Sequence, residues 1–390
     1  MVASPGRRAV TSQQPDLAGQ ADSVRRIPTP ALLCELDLLE DNIARMAAIT
    51  MSAGVGLRPH AKSHKSATIA RRQLDAGAVG LACAKLSEAE ALVSQLRTDG
   101  YEHRLSILLT SPLASADAAH RAAGLADHCD LLVVVDHPDA VDELASAAST
   151  SDARLSLLCD VDVGLGRTGV VGPDAALEVV ERISRHATLS FAGLQGYGGH
   201  LQHIAGHLQR RSATEASTRQ LETVIDAMES RGVSVALRTG GGTGTANIDI
   251  DLGVLNELQA GSYVFMDREY RDALGSDPEG QYRHSLTIAT TVISANHDDY
   301  VTVDAGLKAM ATDAGAPLVV GHETTSTYHF FGDEQGMITN SRTHSFRRGE
   351  RVTLIPPHCD PTVDRYDVLW FVRDDVVVDV VEITARGCSQ

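Results

Sequence analysis

Lysine is nearly missing from this chain: of its 34 basic residues only Lys62, Lys65, Lys85 and Lys308 are lysines. Any chemistry that needs a primary amine therefore has four candidates. Basic residues as a whole are in deficit, 34 against 51 acids, for a formal charge of −17. That is the wrong sign for coating nucleic acid or an anionic membrane, where clustered Lys and Arg supply the affinity. No run approaches the ~18 uninterrupted apolar residues of a membrane span. Residues 1–27 lack the apolar core of a signal peptide, so a cytoplasmic location is expected, without membrane or nucleic-acid partners. The cysteines Cys34, Cys83, Cys129, Cys159, Cys359 and Cys388 are scattered and form no C-x-x-C pair, which argues against a disulfide framework or a structural zinc cluster. Aromatics make up 4% of the chain, with Trp370 the one tryptophan; they read as core rather than as a binding platform. The partners left are small molecules and other copies of the chain.

What is present is a globular chain of 390 residues, 43% hydrophobic, long enough for about two to three domains, or for one barrel plus an addition. Residues 1–27 are polar and aperiodic and read as a mobile tail or a segment draped over a neighbour. From Pro30 onward β-rich runs alternate with stretches of helical period such as Asp174 to His186 and Thr218 to Arg231. Eight strand-like runs are counted: Val55 to His60, Gly80 to Lys85, Leu105 to Thr110, Leu131 to Asp136, Leu155 to Asp162, Leu189 to Tyr197, Val233 to Thr239 and Leu258 to Phe265. Eight units close a parallel (β/α)8 barrel, which sets the expected class as α/β with a barrel over 28–271 and its polar strand ends forming the active-site face. After Arg271 the helical period stops and strand-like runs follow one another, from His284 to Ser294 through Val376 to Ile383. Residues 272–390 are thus expected to form an all-β domain, with Ala31 to Asp37 a candidate extra strand.

Three constellations could carry chemistry. Arg58-Pro59-His60-Ala61-Lys62-Ser63-His64-Lys65 lies at the end of the first barrel run. Continued as a strand to 62, it would point 58, 60 and 62 at the barrel mouth. Lys62, its pKa depressed by cationic neighbours, would suit an amine that forms a Schiff base, with a solvated loop lysine as the alternative. Thr239-Gly240-Gly241-Gly242-Thr243-Gly244-Thr245 matches neither a Walker A loop nor G-x-G-x-x-G. After a seventh strand, its backbone amides and the Thr243 and Thr245 hydroxyls could meet a cofactor phosphate, or it could be a flexible turn. Pro356-Pro357-His358-Cys359-Asp360-Pro361-Thr362 follows a strand of the β domain. In extended chain His358 and Asp360 share a face and could bind Zn2+ or Mn2+, with Cys359 replacing Asp360 only if the chain is turned; a histidine merely paired with aspartate is the alternative. Arg167, in a glycine-rich turn, could reach a cofactor oxygen or a substrate carboxylate, and at least one of His200, His203 and His207 is expected in the pocket.

The motifs R-P-H-A-K-S-H-K, G-L-Q-G-Y, G-G-G-T-G-T, N-E-L-Q-A-G-S-Y-V-F-M-D, V-D-A-G-L-K-A and P-P-H-C-D-P-T occur in that order from about Pro28 to Gly387. In this the chain resembles the D-threonine aldolase family, akin to 3-hydroxyaspartate aldolases and D-serine dehydratases, which are pyridoxal-phosphate enzymes of the alanine-racemase-like fold. The resemblance implies that Lys62 is the Schiff-base lysine and that Gly242, Thr243, Gly244 and Thr245 hold the phosphate together with Gly261, Ser262 and Tyr263. It further implies that Arg167, Gln195 and Tyr197 line the cofactor, with Gln195 near its ring, and that His358 and Asp360 hold Mn2+, Mg2+ or Zn2+. His203, or a metal-bound hydroxide, is the expected base, with a His203 that only orients a water as the alternative. A homodimer, and a D-3-hydroxy amino acid cleaved to glycine and an aldehyde, follow from the same resemblance. The alternative is a dehydratase giving a 2-oxo acid and ammonia; that group typically carries a cysteine two residues after the histidine, where this chain has Asp360.

Overall fold

The computed structural model describes residues 14–275, 282–339 and 346–390. Among them, eight parallel strands form one sheet: β2 (Gly56–Leu57), β3 (Leu81–Cys83), β4 (Ser106–Leu109), β5 (Asp130–Val135), β6 (Leu155–Asp160), β7 (Leu189–Gly196), β8 (Leu237–Gly240) and β9 (Glu257–Leu258). Neighbours run in chain order from β3 to β9, and β2 joins β9. Closure between β2 and β3 is made by a parallel bridge of His60 with Ala82 and by the Val79 and Ala82 amides, which donate to Leu57 O at 2.8 Å and Pro59 O at 3.0 Å. The expected (β/α)8 barrel is therefore present. No helix among the described residues is long and apolar enough to cross a membrane.

Period-two alternation layers the barrel interior. At the bottom Arg58 makes a two-pronged contact with Glu257, Nε to Oε1 at 2.8 Å and Nη2 to Oε2 at 2.9 Å, and its Nη1 donates to Ser106 Oγ at 2.9 Å. Leu108, Val134 and Leu158 fill the middle. His60, Thr110, Asp160, Gln195, Thr239 and Gln259, all buried, form a polar layer above them. Truncating one partner of a buried ion pair strands the other charge. Glu257→Ala is accordingly expected to lower stability by about 3–5 kcal/mol, read from the urea midpoint at an unchanged denaturant slope.

The C-terminal strands are β10 (Leu286–Ser294), β11 (Tyr300–Val303), β12 (Leu318–Val319), β13 (Tyr328–Phe330), β14 (Gly336–Thr339), β15 (Arg351–Ile355), β16 (Val368–Arg373) and β17 (Val376–Glu382). They make a mixed sheet with β1 (Ala31–Glu35), which pairs antiparallel with β10 and parallel with β16. The strand expected near Ala31 thus completes the β domain, but it stops at Glu35, where a helix, Leu36–Ala53, begins. Residues 1–13 of the expected tail lie outside the described residues; from 14 onward the segment covers its own β domain. Leu17 and Ile27 are buried with Leu33, Trp370, Val372 and Val377, and the Gly19 amide donates to Val377 O at 2.9 Å.

Two helix expectations differ from the structure, the first by a shift of two residues and the second in length. Asp174 to His186 is Gly172–Ser184, whereas Thr218 to Arg231 begins at His207 and runs to Ser230. The early turns of that second helix bury Arg210, Thr214 and Ser217. Polar residues on the buried face hide the apolar period by which a helix is recognised.

Candidate active site

The first and last barrel runs are shorter than expected, and the shortening builds the site. The chain leaves β2 after Leu57 and turns through a 3-10 segment at Ala61–Ser63, while after β9 a second 3-10 segment spans Ser262–Val264. Lys62 is therefore presented by a turn and not by strand alternation. It still enters the mouth: His60, Lys62, Ala84, Thr110, Ser111, Arg167, Gln195, Tyr197 and Gln259 line one cavity of about 120 Å3. The Arg167 guanidinium lies 5.5 Å from the Tyr197 ring centre, a cation–π distance.

The β domain delivers the other half. His358 caps a short helix, Cys359–Val363, so the motif is turned where extended chain was expected. It is pinned to the barrel by Asp267, whose Oδ2 accepts from the Cys359 amide at 2.8 Å and whose Oδ1 accepts from the Tyr270 amide at 3.0 Å. Thr362 Oγ1 donates to His358 O at 2.6 Å. The turn brings Asp360 Oδ2 to 2.7 Å from Lys62 Nζ, while Asp360 Oδ1 accepts from Cys359 Sγ at 3.3 Å and more weakly from Ser262 Oγ at 3.4 Å. The cationic surroundings expected to depress Lys62 are thus outweighed: Asp360 holds its ammonium above the usual lysine range against the opposing effect of burial. Burial works against the Asp360 charge, but Lys62 and His358 together hold that carboxyl well below the usual range.

His358 Nδ1 lies 2.7 Å from Asp313 Oδ2. A carboxylate on one imidazole nitrogen fixes the ring and leaves Nε2 as the ligating atom, the usual outer partner of a metal-bound histidine. Burial disfavours the charged ring; Asp360 and Asp313 more than offset it, and the His358 pKa rises. Among the described residues no three His, Cys, Asp or Glu side chains are grouped to hold an ion. His358 and Asp360 offer one nitrogen and one carboxylate donor of the kinds a divalent ion takes, with its further positions left to water or substrate oxygen.

His203 belongs to the same cluster. Burial lowers its pKa, Glu269 opposes the shift, and the charges of His358, Asp360 and Lys62 reach it. Its Nδ1 is 3.6 Å from Glu269 Oε1, its ring packs on Tyr270 with centres 4.4 Å apart, and its Nε2 is buried without a chain partner.

The two segments expected to hold a phosphate meet where the Tyr263 amide donates to Thr243 Oγ1 at 3.0 Å. The Thr243 hydroxyl keeps its own proton to donate. Thr245 does not serve as an outward donor as its sequence position implied: its hydroxyl donates to Asp249 at 2.6 Å and accepts from Gln202 Nε2 at 3.1 Å, so it braces the loop from within. Gln202 Oε1 also takes the Gly244 amide at 2.9 Å. The Tyr263 side chain points into the core, where Gln73 Nε2 donates to its hydroxyl at 3.0 Å, leaving only its backbone toward the loop. Gly261 is required by contact: a Cβ there would stand 2.6 Å from Ser63 Oγ and 2.8 Å from His60 O.

Gln195 is fixed on every side. Its Nε2 donates to Asp160 Oδ1 at 2.8 Å and to Thr110 O at 3.2 Å, and its Oε1 accepts from Gln259 at 3.1 Å. Behind it burial pushes the Asp160 carboxyl up to about 6. His60 Nε2 pairs with Thr110 Oγ1 at 3.1 Å; since Thr110 gives its one proton to Cys83 O, His60 must donate through Nε2. Its Nδ1 is then a bare acceptor, buried without a chain partner, as is Ser63 Oγ. Burial, then Lys62, lowers the His60 pKa to about 3, so the ring is neutral. A cavity with an amine at its wall, unpartnered buried polar atoms and glycines in close contact fits an aldehyde cofactor bearing a phosphate.

Several of these residues escaped the sequence reading. Asp313 sits in a Thr-Asp-Ala-Gly turn that carries no signal beyond the turn itself. Gln202 and Asp267 act on loops remote from them in sequence, whereas Asp249 acts on Thr245 only four residues away, on the first turn of the following helix. Asp160 stood among the polar strand ends, the one available hint.

The model of the alanine racemase N-terminal domain matches residues 34–269, and a second model, for a serine dehydratase domain, matches 285–372. A 3-hydroxy-D-aspartate aldolase of Paracoccus denitrificans (strain Pd 1222) is 33% identical over 379 residues, covering 96% of this chain and 95% of the relative. A D-threonine aldolase of Arthrobacter sp. is 35% identical over 377 residues, covering 96% and 97%. The crystal structure of D-threonine aldolase from Filomicrobium marinum superposes with a TM-score of 0.89 at 32% identity, covering 94% of this chain and 98% of that one.

Proposed function

The chain belongs to the alanine racemase N-terminal domain family, and from that membership we propose that it is a carbon–carbon lyase, an aldolase that uses pyridoxal phosphate and a divalent ion to cleave a D-3-hydroxy amino acid to glycine and an aldehyde. The observation that carries the reading is the 2.7 Å contact of Lys62 with Asp360, because it joins the amine of the barrel to the His358–Asp360 pair of the β domain in one cleft.

The chemistry the cofactor supplies when bound is an electron sink for the pair left at Cα. Lys62 would hold it through its amine, and Thr243 with the loop backbone at 242–244 and 261–263 would hold its phosphate; Arg167 and Tyr197 line the cavity that Lys62 enters. Gln195, its amide protons already committed to Asp160 and Thr110, offers the ring a neutral neighbour and no full negative charge. His358 and Asp360 would hold the ion, which would supply acidification of the β-hydroxyl. His203 takes the hydroxyl proton at Nε2, the buried nitrogen with no chain partner, while Glu269 on the Nδ1 side favours that protonation state. Loss of this proton lets the Cβ–O bond become a carbonyl as the Cα–Cβ bond breaks. A small-molecule substrate, a homodimer and a cytoplasmic location belong to the same reading.

The test is product identity. D-threonine and a D-configured 3-hydroxyaspartate are expected to give glycine and an aldehyde in equal amounts, and the reaction should run backward when both products are supplied. Stoichiometric ammonia and 2-oxo acid without glycine would establish the dehydratase instead.

A further inference from the structure

We propose that Asp249 is a positioning residue for the cofactor phosphate: acting through Thr245 and Gln202, it holds the glycine loop after β8 in the shape that sets Thr243 against the anion. The inference rests on the phosphate assignment above and adds to it the side chains that lie behind the loop.

The proton directions in this network are forced. Thr245 Oγ1 accepts from Gln202 Nε2 at 3.1 Å and, more weakly, from the Gly242 amide at 3.3 Å, which fills its two lone pairs. Its single proton therefore goes to Asp249 Oδ2, 2.6 Å away. Gln202 is committed in the same way: Nε2 also donates to Gly198 O at 3.2 Å, and Oε1 takes the Gly244 amide at 2.9 Å. The amides on either side of Thr243 are thus tied to Thr245 and Gln202, and Asp249 is the acceptor on which the chain of donors ends. All three side chains are buried, so bulk water does not replace a bond lost among them.

The loop also passes in contact with the carboxyl. A Cβ at Gly241, whose φ is +66°, would stand 2.5 Å from Asp249 Oδ2. Such a glycine run has more backbone freedom to lose than any other sequence. Unbraced, its donors would have to be ordered as the anion binds, and that cost would fall on phosphate affinity. Beside the network lies a cavity of about 20 Å3, walled by Gln202, Thr214, Ser217, Thr245 and Asp249 among others, with no second charged side chain among the described residues that line it. Burial pushes the Asp249 carboxyl up to about 7. What the network uses is its oxygen as an acceptor; a full charge there would oppose an anion across the loop.

The test compares pyridoxal phosphate with pyridoxal, which forms the same bond to Lys62 but carries no phosphate. Protein stripped with hydroxylamine is titrated with each, and binding is read without turnover from the long-wavelength absorbance of the lysine-bound aldehyde. Wild type should bind pyridoxal phosphate the more tightly. Three variants follow: Asp249→Leu, which removes the acceptor without leaving room for a water to replace it; Thr245→Val, which keeps the shape and deletes the hydroxyl; and Asp249→Asn, which keeps an acceptor oxygen without the charge. The first two are expected to lose about tenfold or more of the preference, the order of one buried hydrogen bond left unmade, with pyridoxal affinity unchanged. Asp249→Asn is expected to retain the preference. An unchanged preference in Asp249→Leu and Thr245→Val would overturn the proposal, and so would an equal loss for both aldehydes, which marks a brace of the whole site. If the leucine variant does not fold, Thr245→Val decides by itself. Failure of the underlying phosphate assignment looks different: wild type would bind the two aldehydes equally.

Discussion

Lys62→Ala is expected to abolish covalent retention of the cofactor and to lower kcat/KM by about 10^4-fold or more, the order lost when a covalent nucleophile is removed. The other three lysines cannot substitute. Lys65 is buried against Asp364 at 2.7 Å, Lys308 is exposed beside Glu334, and Lys85 is exposed, its neighbour Ala84 being the residue that meets the cavity. Borohydride reduction of the loaded wild-type protein should fix the cofactor to one peptide, the one containing Lys62. Truncation leaves the 12%-exposed Asp360 carboxylate without its partner, so the thermal transition of the variant is measured beside its activity. Label recovered at Lys65, Lys85 or Lys308, or activity retained by the variant, would remove Lys62 from the mechanism.

That Lys62 could be named from sequence owed something to scarcity and much to the ordered motifs, but the geometric argument reached the right face by the wrong route. Alternation along a strand was expected to carry 58, 60 and 62 to the mouth; in the structure Arg58 lies at the barrel floor with Glu257, His60 reaches the polar layer, and Lys62 arrives through a 3-10 turn. The same holds for His358 and Asp360, which share a site because a helix cap turns between them. Short-range pattern reports which residues are present and what period they keep, and that sufficed for the eight strands and the β domain. It does not report where a strand gives way to a turn, because that is decided by contacts with distant chain such as Asp267 on the Cys359 amide. The Thr245 hydroxyl shows the same limit: its sequence offers a donor, and only the fold reveals that Asp249 has already taken it. Asp313, 45 residues from His358 in the chain, was not legible at all.

Removal of the ion by chelation, or of its histidine by His358→Ala, is expected to lower turnover by about 10^3-fold or more while the long-wavelength absorbance of lysine-bound cofactor stays unchanged. The two losses separate because Lys62 belongs to the barrel and His358 to the β domain, with the charge of Asp360 felt by both. The size follows from the proton that must be moved. An unassisted alcohol is about as weak an acid as bulk water, near pKa 16, whereas a bound divalent ion can bring such a proton down toward ~7. His203 is a poor match for the unassisted group, since burial pushes its pKa below the ordinary histidine value. That mismatch slows the unassisted transfer, and leakage through water sets the floor of the residual rate. Asp313→Ala should produce a milder version of the same defect: the ring of His358 loses its orienting carboxylate, Mn2+ affinity falls by about 10- to 100-fold, and added Mn2+ restores the rate. Full activity in thoroughly chelated enzyme would refute the role of the ion and reduce His358 and Asp313 to a loop contact; loss of cofactor absorbance on chelation would show instead that the ion acts on cofactor retention and not on the hydroxyl.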